Sequence, residues 1–221
     1  MKLNRFIDHT VLKAVTTETD IKNLCKEAIE YNFYSVCVNG SYVPLAKKEL
    51  SGSDINIAAV VGFPLGAMSM EAKVFEAKEA IKNGANEIDM VLNIGFMKSE
   101  KYDEVEKEIK SIKQAIGKNV LKVILETCYL TKSEIKDACK LSVNAGADFV
   151  KTSTGFGTGG ATFEDVEIMK SVVDGKAQIK ASGGVKDIET AEKYISMGVT
   201  RLGTSSGVQL MTSGKAKEGQ Y

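Results

Sequence analysis

The sequence has no excess of either charge: lysine and arginine together number 29, as do aspartate and glutamate. That balance removes the basic surface that draws a chain to nucleic acid or to an anionic membrane. A small molecule is the partner expected. The longest unbroken apolar run, residues 57–61, is far too short to span a bilayer. The start, MKLNRFIDHT, scatters charges among its apolar residues, unlike a secretory leader, so a cytoplasmic location is expected. Cys25, Cys37, Cys128 and Cys139 include no C-x-x-C pair, and His9 is the single histidine. A common zinc site therefore lacks its ligand set, and the expectation is reduced thiols with no structural metal. No linker or low-complexity tract divides the chain. A length of 221 residues suffices for one α/β domain with a full core. The division expected is a catalytic domain over 1–211 and a polar tail over 212–221.

What is present is alternation. Runs rich in valine and isoleucine recur as FYSVCV (33–38), NIAAVVGF (56–63), EIDMVLN (87–93), LKVILE (121–126), DFVKTST (148–154) and QIKAS (178–182). Such near-continuous apolar runs suit parallel strands buried on both faces. FIDHT (6–10) and TRLGTSS (200–206) are weaker candidates that bring the number to eight. Between them lie stretches with helical spacing, at 20–31, 43–50, 71–83, 102–116, 133–144, 163–173 and 188–197. Glycines in KNGANEI (82–88), VNAGADFV (143–150) and SMGVTRL (196–202) mark helix ends turning into the next strand. A doubly wound sheet shares this alternation but ordinarily has five or six strands. Eight strands predict a single-domain (β/α)8 TIM barrel, with function at the strand C-termini.

Lys151 sits among apolar neighbours in DFVKTST, where burial of its charge is unfavourable unless the charge is paired or removed. A strand-end lysine snorkelling to water is the plainer alternative. Lys180 holds the equivalent place in the next strand, so two lysines are expected to share one pocket. Lowering a lysine pKa from about 10.4 to about 7 requires roughly 4.6 kcal/mol. A second ammonium about 5 Å away supplies roughly 3 kcal/mol at an effective dielectric near 20, leaving a modest remainder to burial. The pair is thus a device for making a nucleophilic amine that forms an imine with a carbonyl substrate. Asp89, in EIDMVLN, is the candidate acid and base, or else a buried carboxylate satisfied by a lysine. Asp8 and Thr10, in IDHT, are placed to hold Lys180 or a bound hydroxyl, while the adjacent His9 reads as structural.

Glycine is concentrated in STGFGTGGAT (153–162), ASGGV (181–185) and LGTSSG (202–207). Such loops let backbone N–H groups and serine hydroxyls converge on an anion, and barrels often hold phosphate after strands seven and eight. GFGTGG (155–160) also fits the dinucleotide pattern G-x-G-x-x-G, but the next strand carries Lys180 where an acid for the ribose is needed. Cys37 is expected either to border the cavity, where electrophiles reach it, or to be small core filler, and no catalytic role is assigned to it.

Taken in order, IDHT (7–10), VGFPLGA (61–67), EIDMVLNIG (87–95), KVILET (122–127), VKTSTGFGTGGAT (150–162), IKASGG (179–184) and RLGTSSG (201–207) resemble the deoxyribose-phosphate aldolase family over nearly the whole chain. The resemblance implies a class I aldolase that reversibly cleaves 2-deoxy-D-ribose 5-phosphate into D-glyceraldehyde 3-phosphate and acetaldehyde, with no cofactor or metal. Lys151 then matches the imine-forming lysine, Lys180 the lysine that lowers its neighbour's pKa, and Asp89 the aspartate of the proton relay. Gly155, Gly183, Gly184, Gly203, Ser205 and Ser206 match the phosphate loops. Tyr221 matches a terminal tyrosine that in some relatives reaches the active site, and a homodimer is the assembly implied. Ala14 departs from the proline found in many members, away from any catalytic position. The residues alone also admit another imine-forming sugar-phosphate aldolase, a transaldolase, or a sugar-phosphate-binding barrel without chemistry.

Overall fold

A computed structural model describes residues 2–215. Eight parallel strands close into a barrel: β1 (Ile7–Thr10), β2 (Ser35–Val38), β3 (Asn56–Val61), β4 (Glu87–Val91), β5 (Val120–Ile124), β6 (Phe149–Lys151), β7 (Gln178–Ser182) and β8 (Arg201–Thr204). Each strand pairs with the next and β8 returns to β1, so no sheet edge is left open. The seven expected helices form α1 (Glu18–Glu30), α2 (Val43–Glu49), α3 (Met70–Lys82), α5 (Tyr102–Ile116), α6 (Lys132–Asn144), α7 (Phe163–Val173) and α8 (Ile188–Ser196). Two short helices join them, α4 (Ile94–Lys98) and α9 (Gly207–Thr212). No helix among the described residues is long and apolar enough to cross a membrane.

Local chemistry sets the helix ends. Thr17 and Thr131 open α1 and α6 with reciprocal capping boxes to Asp20 and Glu134. Gly84, Gly146 and Gly198, one residue past the C-caps of α3, α6 and α8, have positive φ, as the glycine punctuation predicts.

Strand alternation then divides the side chains between two environments. Ile88 and Met90 of β4, Leu121 and Val123 of β5 and Leu202 of β8 pack outward into a core shared with Ile109, Ile112 and Ile135 of the helices. A smaller apolar group, Leu12, Cys37, Ala58 and Val60, fills part of the barrel interior. The ladder register sets Asp89 beside Lys122, Lys151 beside Lys180, and Lys180 beside Arg201. Past α9 the chain turns back on the barrel, where Ile188 N–H donates to the Gly214 carbonyl at 3.1 Å and Lys215 bridges to Asp187.

Candidate active site

The barrel interior holds a fully buried charge network. The Lys151 Nζ donates to Asp89 Oδ2 at 2.8 Å, and the Lys180 Nζ donates to the same oxygen at 2.8 Å. Lys180 also donates to Asp8 Oδ2 at 2.5 Å. The other Asp89 oxygen accepts from Lys122 at 2.7 Å, and Lys122 lies 2.5 Å from Glu87. Arg201 closes the network, donating to Asp8 at 2.7 Å and to Glu87 at 2.8 Å, with its guanidinium 3.3 Å from the centroid of the Tyr34 ring. The structure therefore brings together Lys151, Lys180, Asp89 and Asp8. It adds three groups the sequence argument did not single out: Glu87, Lys122 and Arg201.

Within this network three carboxylates (Asp8, Glu87, Asp89) face four basic groups (Lys122, Lys151, Lys180, Arg201). Charges balance when one base is neutral, and Lys151 is the base with a single carboxylate partner. Burial pushes the Lys151 pKa down; Asp89 opposes that, and the positive charge of Lys180 adds to it, leaving the net value below the ordinary one. Burial also works against the Lys180 and Lys122 ammonium groups, but the carboxylates around each overcome it and hold both above their usual values. Asp8 and Asp89 are held well below the usual carboxylate range, the surrounding cations outweighing burial. The expected order of causes is reversed. Burial leads in lowering the Lys151 pKa, and the repulsion from Lys180 is smaller than the attraction of Asp89.

The rim of the site comes from the loops after the strands. Thr10 does not hold Lys180; its hydroxyl donates to the Asp8 carbonyl at 2.8 Å. Thr10 instead borders a cleft of about 410 Å³, together with Leu12, Lys13, Val15, Phe156 and Ser205. Gly155 follows β6, Gly183 and Gly184 follow β7, and Ser205 and Ser206 lead into α9, so these positions gather at the C-terminal ends of the last three strands. Gly203 is different. It lies within β8, where a Cβ would stand 2.9 Å from Ser182 Cβ and 3.1 Å from Lys180 Cε, so the missing side chain makes room for the Lys180 stem. Gly160, the last glycine of the dinucleotide-like pattern, packs where a Cβ would stand 2.4 Å from the Gly183 carbonyl oxygen, which accounts for it by loop contact. Cys37 is buried inside the barrel and its thiol pKa is raised, chiefly by burial. His9 points away from the site, its Nε2 2.7 Å from Glu27. Tyr221 lies outside the described residues.

A further residue, Glu126 at the end of β5, is buried with φ +54°, in the left-handed region that non-glycine residues rarely adopt. Its carboxylate accepts from the Thr154 hydroxyl and from the Thr154 N–H at 3.1 Å.

Residues 4–210 match the family described as DeoC/LacD family aldolase. The deoxyribose-phosphate aldolase of Finegoldia magna is 56% identical over 211 residues, spanning 96% of this chain and 99% of the relative. A crystal structure from Coccidioides immitis has a TM-score of 0.93 at 44% identity, over 94% of this chain and 83% of that one. The tetrameric deoxyribose phosphate aldolase from Aeropyrum pernix has a TM-score of 0.87 at 32% identity, over 96% of this chain and 90% of that one.

Proposed function

The chain belongs to the DeoC/LacD aldolase family, and from that membership we infer that it reversibly cleaves 2-deoxy-D-ribose 5-phosphate into D-glyceraldehyde 3-phosphate and acetaldehyde through an imine on Lys151. The observation that carries the reading is the Lys151 amine, buried and 2.8 Å from a carboxylate that it shares with Lys180. An amine held there without its proton is a nucleophile at neutral pH.

In the cleavage direction the Lys151 Nζ adds to the aldehyde carbon of the open sugar. Asp89 and Lys180 move the protons that turn the carbinolamine oxygen into leaving water, and a protonated imine remains. That imine draws electrons from the neighbouring carbon. A water held by Asp89 takes the proton of the C3 hydroxyl, the C2–C3 bond breaks, and its electron pair settles in an enamine on Lys151. Glyceraldehyde 3-phosphate departs; protonation at C2 and hydrolysis then release acetaldehyde and restore the amine. Asp8 keeps Lys180 charged and in place. Gly155, Gly183, Gly184, Ser205 and Ser206 supply N–H and hydroxyl donors for the phosphate.

A phosphorylated sugar is retained inside the cell, which supports a cytoplasmic location. The tetrameric Aeropyrum pernix relative supports self-assembly, with a homodimer as the smallest form; sedimentation velocity measures it. The activity itself is tested by supplying 2-deoxyribose 5-phosphate and following acetaldehyde with a coupled dehydrogenase. Release by the wild type and its loss in a folded Lys151→Leu variant are expected. A Lys151→Leu protein with full activity overturns the reading.

A further inference from the structure

Glu126 lies outside the charge network, yet it is buried and occupies a backbone conformation that disfavours a side chain. Such a conformation persists only where the surroundings enforce it, so the contacts it permits are informative. Both Glu126 oxygens reach across from the end of β5 to the loop after β6, one accepting the Thr154 N–H and the other the Thr154 hydroxyl. The Thr154 hydroxyl oxygen in turn accepts the Phe156 N–H at 2.9 Å. The Glu126 carboxylate thus accepts both Thr154 donors at once, the N–H and the hydroxyl, whereas an amide has one acceptor oxygen and leaves the hydroxyl proton without its acceptor.

This chain of bonds controls a defined stretch. The β6 end before it is anchored from the other side, where Thr152 Oγ1 donates to the Ser182 carbonyl at 3.0 Å and Ser182 Oγ donates to the Ser153 carbonyl at 2.5 Å. Lys151 is fixed by its ladder and by Asp89. Residues 154–156 have no such support from β7; their register comes from Glu126. Phe156 lines the cleft at the rim and meets Phe63 edge-on at 5.2 Å between ring centroids. Gly157 closes against the Glu126 carboxyl, with space for a Cβ only 3.2 Å from its Cδ.

We propose that Glu126 is a positioning residue that, through Thr154, fixes Gly155 and Phe156 against the phosphate-bearing half of the substrate while leaving imine formation at Lys151 untouched. The inference rests on the aldolase reading above and assigns the β6–α7 loop to recognition of the glyceraldehyde phosphate portion. Acetaldehyde alone does not reach that portion, which separates the two halves of the chemistry.

The test uses the full-length protein and the variants Glu126→Gln, Thr154→Val and Thr154→Ser. Two quantities are read: steady-state KM and kcat for 2-deoxyribose 5-phosphate, and the rate at which borohydride traps acetaldehyde on Lys151. Glu126→Gln and Thr154→Val are each expected to raise KM about tenfold, with the double variant no worse than either, because each strands a partner in the same bond chain. Trapping of acetaldehyde should stay within about twofold of wild type, and Thr154→Ser, which keeps the hydroxyl, should behave as wild type. If Glu126→Gln does not fold, the contrast between Thr154→Val and Thr154→Ser carries the test. Slower acetaldehyde trapping in step with the KM change, unchanged KM, or failure of Thr154→Ser to preserve it would overturn the proposal. A wild-type protein that traps nothing on Lys151 would instead overturn the imine reading and leave the clamp to be judged by KM.

Discussion

Replacing Lys180 with methionine removes one cation from the buried network while keeping most of its stem volume. The Lys151 and Lys180 nitrogens each stand 2.8 Å from the same Asp89 oxygen, so their separation is at most twice that distance. Two unit charges about 5 Å apart at an effective dielectric near 20 repel by roughly 3 kcal/mol, equivalent to about two pKa units. The charge count gives the same sign: with Lys180 gone, the three carboxylates are balanced only if Lys151 takes up a proton. Its pKa rises, and the neutral nucleophile becomes scarcer at low pH. The acid limb of kcat/KM for 2-deoxyribose 5-phosphate cleavage is therefore expected to move up by about two pH units, a loss of on the order of 100-fold at a pH below both midpoints. Activity should recover as the pH is raised. The assay is a pH series on wild type and Lys180→Met with coupled acetaldehyde detection. A loss that is uniform across pH, or a midpoint that moves down, would refute the electrostatic part assigned to Lys180.

Asp89→Asn deprives Lys122, Lys151 and Lys180 of a shared carboxylate, and leaving buried cations without it is expected to destabilise by about 3–5 kcal/mol, or on the order of 10 °C in Tm; calorimetry that finds no decrease contradicts the network's role in folding. Gly203→Ala forces a Cβ against Ser182 and the Lys180 stem, for an expected loss of about 1–3 kcal/mol together with reduced kcat, which urea melts and kinetics measure. Acid dependence follows from the carboxylates. Folding holds Asp8 and Asp89 below their usual value of 3.8, so their contribution is complete above that pH and disappears as the pH falls through the folded values. Glu108 and Glu126 are raised, chiefly by burial, and they contribute in the opposite sense, gaining stability as they protonate. The Lys151 amine, neutral when folded and protonated when unfolded, opposes that gain as the pH falls from neutral, so the steep fall of the urea midpoint is expected below about 4, where the aspartates lose their ion pairs. A midpoint that stays level from about pH 5 to about pH 2 contradicts these assignments.

The strands and the longer helices were legible because valine and isoleucine runs alternate with helical spacing and with glycines that end helices. α4 and α9, of five and six residues, are too short for any period to show. Lys151, Lys180 and Asp89 stood out as charges inside apolar strands. Glu87 and Lys122 carried the same signal, two residues before Asp89 and directly beside it in the ladder. Read singly, each passes for a solvated strand-end charge; only closure of the barrel places Arg201 of β8 against Glu87 of β4. Glu126 was not legible, because a left-handed backbone at a non-glycine residue leaves no mark in composition or spacing. Gly203 was read with the glycine loops, whereas its position inside β8 shows that it makes room for Lys180.

The mechanism rests on a covalent bond between substrate and one lysine. Incubating the protein with 2-deoxyribose 5-phosphate, reducing with borohydride and mapping the adduct by peptide mass spectrometry addresses it directly. A substrate-dependent adduct on Lys151 is the result predicted. An adduct on Lys180 would mean that the two lysines exchange roles, and an unmodified protein that still binds the sugar phosphate would contradict the imine mechanism.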